Sequence, residues 1–277
     1  IKNVCGSVKR ASDGAVLSLR ELLDVAAVLR EISGLCSWYS QCSGTESSLN
    51  EYFDLLVPDK SLEEAIDNAI LSEEEISDSA SPELSRIRRS IARQGASIRE
   101  QLNKLIKNKD TQKYLQESLI TQRDGRFVVP VKVEHKSEIN GLVHDVSSSG
   151  ATLFIEPISV VEANNEIRVL EAQEQAEIER IIRSLSGRVG ERAEDIRTGY
   201  ENALKLELFF AKANLGAKMK ASSPELTEQP MLFLNKARHP LLDRDTAVPV
   251  TIELGTNYSC LIITGPNTCL LYTSDAA

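Results

Sequence analysis

The sequence predicts a mainly α chain: long helices carrying a small β insert, followed by the first strands of an α/β domain. Three observations predict it. Apolar residues recur at helical spacing over most of residues 18–220. Between about 127 and 156 the period changes to two, then reverts. Beyond Pro224, short apolar runs bounded by Gly and Pro replace the helical pattern. The length of 277 residues suits about two domains. A hydrophobic content of 42% against 26% charged residues argues against disorder.

Residues 18–33 read as a helix opened by a Ser18/Glu21 capping box, with Gly34 as its stop. Residues 46–57 suggest a second helix before Pro58. Ser61 and Glu64 repeat the capping pattern and open a helix through Leu71, with another turn from Ser72 and Glu75. Ser81 caps a longer helix, with Pro82 in its first turn. Leu84, Ile91, Ile98 and Leu105 recur every seven residues along it. Ile87, Leu102 and Ile106 are companions, so a second long helix is expected against this seam.

Phe127, Val129, Val131 and Val133 then share one strand face, and Pro130 on the other face suggests an edge strand. Gly141–Asp145 and Thr152–Glu156 read as two further strands joined by a turn at Ser147–Gly150. A second long helix follows Pro157, interrupted at Gly187 and Gly190. A further helix runs from about 191 to 220, with Leu204, Leu208, Phe209 and Leu215 as core candidates. The β insert thus sits like a tip on a two-legged lever. Met231–Leu234 and Val248–Ile252 read as strands, and Tyr258–Thr264 as a buried parallel strand before Gly265.

The net charge of −9 excludes a wholly basic nucleic-acid binder but not a local basic stripe. The helix from Pro82 supplies one: Arg86, Arg89, Arg93, Lys104 and Lys107 are candidate nucleic-acid contacts. The alternative, commoner for such patterns, is a solvated flank paired with neighbouring acidic helices. Five irregularly spaced cysteines and three scattered histidines make neither a disulfide framework nor a zinc site, and suit reduced thiols in the cytoplasm. No apolar run is long enough to cross a membrane. His144, Asp145 and Ser147–Ser149 invite comparison with a hydrolase triad. Neighbours on a strand point to opposite faces, however, and no Gly-x-Ser-x-Gly elbow is present.

A phosphate-binding loop needs Gly-x-x-x-x-Gly-Lys-[Ser/Thr] after a buried strand. Counting from Gly265, the second Gly, the Lys and the Ser/Thr would fall at Leu270, Leu271 and Tyr272, so the residues alone do not complete the loop.

Several blocks nevertheless resemble the bacterial MutS-two family, the second MutS paralogue. They are Ser79–Leu84, Asp124–Lys132, Gly141–Pro157, Ala237–Leu242 and Ile262–Thr268. The resemblance covers nearly all of 1–268. It implies a helical core and first lever helix over 1–121, a small β clamp tip over 122–160, and return lever helices over 161–223. It further implies the start of a P-loop ATPase domain over 224–268. Gly265, Pro266, Asn267 and Thr268 would then be a partial ATP-binding loop. The family continues this loop with Gly-Gly-Lys-Thr. Here residues 269–277 depart from that pattern and are expected to be a non-native tail on a truncated fragment.

For an intact parent, the resemblance implies an ATP- and Mg2+-dependent homodimeric ATPase. It would act on branched or repair-intermediate DNA, suppress recombination, and split stalled ribosomes. A C-terminal nuclease domain would supply endonuclease activity. The fragment itself is expected to be inactive and to need no cofactor. The alternative is a non-catalytic helical scaffold that dimerises through its heptad helices.

Overall fold

The computed structural model describes residues 2–42, 47–243 and 245–262. The chain forms two compact units, Ile1–Leu206 and Glu207–Ala277. The described residues are mainly α-helical with small antiparallel sheets.

The first unit begins with α1 (Cys5–Ser12), α2 (Leu19–Gln41), α3 (Asn50–Phe53) and α4 (Lys60–Ala69). It continues with α5 (Pro82–Lys107), α6 (Lys109–Gln112), β1 (Thr121–Arg123), β2 (Arg126–Lys132), β3 (Gly141–Val146) and β4 (Thr152–Pro157). The helices α7 (Ile158–Glu191) and α8 (Ala193–Met219) follow, and α8 runs on into the second unit.

The expected capping box opens α2. The Ser18 hydroxyl accepts from the Glu21 N–H, and the Glu21 carboxylate accepts from the Ser18 N–H. The helix does not stop at Gly34. It continues to Gln41, where Tyr39 stacks on Phe53 at 4.3 Å between ring centroids. That packing outweighs the roughly 1 kcal/mol cost of a mid-helix Gly. The cap of α4 is Asp59 rather than Ser61, since Asp59 Oδ1 accepts from the Leu62 N–H at 2.9 Å. Ser61 lies within the helix, and its hydroxyl accepts from Arg188 at 3.1 Å. The helix ends at Ala69. Residues 70–76 form a tight loop closed by an Ile70–Ile76 bridge instead of another helical turn. The expected helix over 46–57 is only the short α3 among the described residues.

The heptad seam of α5 packs against α7. Leu84, Ile87, Ile98 and Leu102 are at most 2% exposed, and fully burying each contributes about 1.5–3 kcal/mol. Polar bridges set the register. Ser81 Oγ donates to Glu177 at 2.7 Å, Arg88 Nε to Glu174 at 2.7 Å, and Gln94 Nε2 to Glu166 at 2.6 Å. Numbers rise along one helix as they fall along the other, so the pair is antiparallel. Gly187 and Gly190 do not interrupt α7. Gly190 lets α7 approach α1, since a Cβ there would lie 2.5 Å from the Ala11 carbonyl oxygen.

At one end of this pair lies a four-stranded antiparallel sheet, ordered β1-β2-β4-β3. The strand β2 is internal to that order, contrary to the edge position expected from Pro130. The ring nitrogen is tolerated because β1 pairs only as far as Val128. The Pro130 carbonyl instead accepts from the Gln116 N–H at 2.9 Å, and Lys132 N–H donates to the Tyr114 carbonyl. The missing donor therefore faces a short connecting segment rather than the β4 ladder. Phe127, Val129 and Val131 join a core with Ile98, Leu102, Leu153, Ile155 and Ile167. Val133 does not share that face. It begins a 3-10 turn and is 46% exposed.

In the second unit, β5 (Leu232–Ala237) and β6 (Val250–Leu254) pair as an antiparallel hairpin. Residues 258–262 lie outside any strand, and Ile262 is 81% exposed. The buried parallel strand expected over 258–264 is therefore absent from its described part. Such a strand needs layers on both faces, which the described residues do not supply. Leu204, Leu208 and Leu215 are also exposed rather than core residues.

Glu177 links the seam to pH. The Arg180 guanidinium, followed by the Ser81 hydroxyl, holds its carboxyl down from an ordinary 4.5 to about 2. A depressed carboxylate pKa stabilises the fold above the unfolded value, and this contribution is lost as pH falls through the folded value. Urea denaturation at a series of pH values is expected to show stability falling between about pH 4.5 and 2. Glu177→Gln should flatten that part of the profile.

Candidate nucleic-acid interface

The five basic residues singled out in α5 converge on one face. At about 100° per residue, Arg86, Arg89, Arg93, Lys104 and Lys107 fall within an arc of about 60°. All five are exposed, and the buried seam occupies the opposite side of the helix. From Arg86 to Lys104 the stripe extends about 27 Å at 1.5 Å per residue.

The stripe is only partly neutralised. Arg86 holds Glu83 through two bonds, Nε at 2.9 Å and Nη2 at 2.6 Å. Lys104 pairs with Glu100 at 2.8 Å. These contacts draw the Glu83 and Glu100 carboxyls below their ordinary values. Arg89 donates Nε to the Ser85 carbonyl at 3.1 Å. Among the described residues, no carboxylate lies within ion-pair distance of Arg89, Arg93 or Lys107. The expected pairing with acidic neighbours occurs at Arg88, which turns inward to Asp78 and Glu174. Arg99, on a different face of α5, lies over the Phe127 ring of the tip at 5.4 Å.

The tip is held to the lever by a polar cluster that no local sequence pattern marks. Glu156, on β4, is fully buried. Arg126 Nη1 donates to both carboxylate oxygens, at 2.8 and 3.0 Å, and Asn164 Nδ2 donates to Oε1 at 2.8 Å. His144 Nε2 meets Oε2. Asn164, near the start of α7, also accepts from the Phe127 N–H at 3.1 Å and donates to the Phe127 carbonyl at 3.2 Å. Arg126 Nη2 donates to Asn165 at 2.6 Å. One carboxylate thus joins β2, β3, β4 and α7. Its one sequence signal is a charged residue directly after Leu153-Phe154-Ile155, in an otherwise buried strand.

This geometry does not form a hydrolase triad. A register shift between Val143 and Asp145 accompanies the inward placement of His144 against Glu156. Asp145 pairs instead with Arg123 at 3.1 Å. The Ser147 hydroxyl accepts from the Thr152 N–H and closes the turn. Among the described residues no His, Cys, Asp and Glu group could hold a metal ion. The four described cysteines are free, and burial raises the thiol pKa of Cys5 and Cys36. No described helix is long and apolar enough to cross a membrane. Gly265, Pro266, Asn267 and Thr268 lie outside the described residues.

Removing Glu156 strands Arg126, whose side chain is 19% exposed. Leaving one partner of a buried pair costs about 3–5 kcal/mol. Glu156→Ala is expected to lose stability of that order in urea unfolding, with faster amide exchange at Val128 and Ile155. Adding Arg126→Met should recover part of the loss. Unchanged exchange in the single variant would refute the anchoring role.

No protein-family model matches the chain. Among curated proteins, the Endonuclease MutS2 of Acetivibrio thermocellus is 42% identical over 271 residues, covering 97% of this chain and 34% of that protein. That of Caldanaerobacter subterraneus subsp. tengcongensis is 46% identical over 263 residues, covering 94% and 33%. That of Clostridioides difficile is 45% identical over 273 residues, covering 97% and 34%. The chain spans about a third of the length of the curated relatives it matches.

Proposed function

The chain belongs to the MutS2 family, and from that premise we propose that it supplies the DNA-contacting lever and clamp of a MutS-like ATPase and endonuclease. The observation that carries this reading is the exposed stripe from Arg86 to Lys107 on α5. A row of cations on one helix face, about 32 Å from Arg86 to Lys107, is long enough to meet several phosphates of a duplex. The antiparallel partner α7 supports it, and the β tip lies at its end. The names of the relatives add endonuclease activity to the proposal for the whole protein.

In this reading, residues 1–121 are the core and first lever helix, 122–160 the clamp, and 161–223 the return lever. Residues 224–268 begin a P-loop ATPase domain, and β5 and β6 are its first strands. Gly265–Thr268 would be the first half of its phosphate loop, with ATP and Mg2+ as ligands of the whole protein. Branched DNA is the proposed substrate, with suppression of recombination as the outcome. Stalled ribosomes are a second target, and the whole protein is a cytoplasmic homodimer. Leu270, Leu271 and Tyr272 replace the residues that would grip the terminal phosphates and magnesium, so the chain itself is proposed to be catalytically inactive.

The scaffold alternative requires a free heptad seam. That seam is occupied by α7 of the same chain, which leaves little of it for a second chain.

Fluorescence anisotropy on a four-way DNA junction tests the proposal. Combined Arg89→Gln, Arg93→Gln and Lys107→Gln should weaken binding about ten-fold or more at low salt. It should also lower the salt slope by about 0.9 for each phosphate that is no longer neutralised. Unaltered affinity with an unaltered slope would remove the stripe from the interface. In the same preparation, calorimetry with ATP and Mg2+ is expected to show no binding. Saturable heat would overturn the inactive-loop reading.

A further inference from the structure

A second polar surface lies away from the α5 stripe, in a groove between α4, the 3-10 turn at Asp78–Ala80, and α7. It encloses about 270 Å³. Its apolar lining, the floor, combines the small side chains of Ala65, Ala69 and Ala80 with Ile181 and Leu185. Arg180, Ser184 and Arg188 stand along one wall, each four residues after the last and so on one line of α7.

The electrostatics of the groove differ from those around it. The chain carries 41 acidic against 32 basic residues, and α4 itself contributes Glu63, Glu64 and Asp67. Yet no Asp or Glu lines the groove. Glu63 and Asp67 are engaged by Arg30, at 3.5 and 2.5 Å. Arg180 is committed to Glu177, through bonds of 2.7 and 2.8 Å. Arg188 is not committed in this way. Its Nη2 donates to the Ser61 hydroxyl at 3.1 Å, which steadies the guanidinium without neutralising it. Among the described residues no carboxylate lies within ion-pair distance of Arg188, and the Ser184 hydroxyl makes no hydrogen bond.

We infer that this groove holds one nucleotide unit, with its ring on the apolar floor and its phosphate on Arg188 and Ser184. A bare phosphate would leave the apolar floor unused, and the volume approaches the lower limit of small-molecule sites, about 300 Å³. A planar guanidinium presents paired donors to a phosphate, and an adjacent hydroxyl adds a third. The nucleotide unit could be free or the end of a strand, and both present the same chemistry to the groove.

The test is amide chemical-shift mapping on the 277-residue chain, titrated separately with AMP, inorganic phosphate and 5′-phosphorylated dT tetranucleotide. Saturable shifts at Ala65, Ser184 and Arg188 are expected with AMP or the tetranucleotide. Phosphate alone should bind about ten-fold more weakly or less, a difference of about 1.4 kcal/mol. A tetranucleotide that binds more tightly than AMP assigns the groove to a strand end, whereas equal or tighter AMP binding assigns it to a free nucleotide. Arg188→Gln should weaken binding about ten-fold or more. Ala65→Leu, which fills the floor without touching the charge, should block it, with folding of both variants checked by thermal unfolding. Absence of saturable shifts with either nucleotide ligand, or shifts that survive both substitutions, would overturn the inference. So would phosphate binding as tightly as AMP. The α5 substitutions probe a different surface, so the DNA-binding reading and this one fail independently.

Discussion

The antiparallel packing of α5 on α7 is the constraint on which the first unit depends. A continuous apolar seam drives it, and the seam alone would tolerate a slip by one heptad. The polar bridges from Ser81, Arg88 and Gln94 to Glu177, Glu174 and Glu166 oppose such a slip. Each bridge uses a different donor type, so a shifted register would leave polar groups mismatched. The same bonds link helix start to helix packing. Ser81 accepts from the Leu84 N–H to cap α5 while donating to α7.

Fixing the two helices fixes what their ends can carry. The seam residues Ile98 and Leu102 continue directly into the core of the tip, against Val129, Val131 and Ile155. Glu156 then joins three strands to the start of α7. Burying one carboxylate is costly, and it is tolerated here because Arg126, His144 and Asn164 occupy its lone pairs. The arrangement favours one orientation of the sheet over a sliding apolar contact. A tip so held gives the α5 stripe a fixed relation to the sheet, which the proposed contact with a duplex would use.

The charged surface follows from the same packing. A helix buried on one side must present its cations on the other, and the inward-turned Arg88 shows what happens to a cation at the boundary. Arg86 is held by Glu83 on its own helix, whereas Arg89 and Arg93 make no ion pair among the described residues, so their charge is open to a ligand. In the groove beside α4 the logic is reversed. There, Arg30 engages Glu63 and Asp67, and the half-buried Arg188 has no carboxylate within ion-pair distance among the described residues.

By itself the sequence determined most of the helices, the β insert and the apolar seam of α5, because periodicity and capping residues act over a few neighbouring positions. It also determined that the basic residues of α5 share a face, since helical spacing alone dictates that. Family resemblance, carried by blocks such as Gly141–Pro157, was legible for the same reason: it is written in contiguous residues. Only the tertiary structure decided that Gly34 and Gly190 lie inside helices, because long-range packing outweighs local propensity there. Only it decided that β2 lies inside the sheet, because the direction of the Pro130 nitrogen depends on which segment pairs beside it. The Glu156 cluster was equally hidden. Its members are 30, 12 and 8 residues from Glu156 along the chain, and no local pattern reveals that four polar side chains will meet.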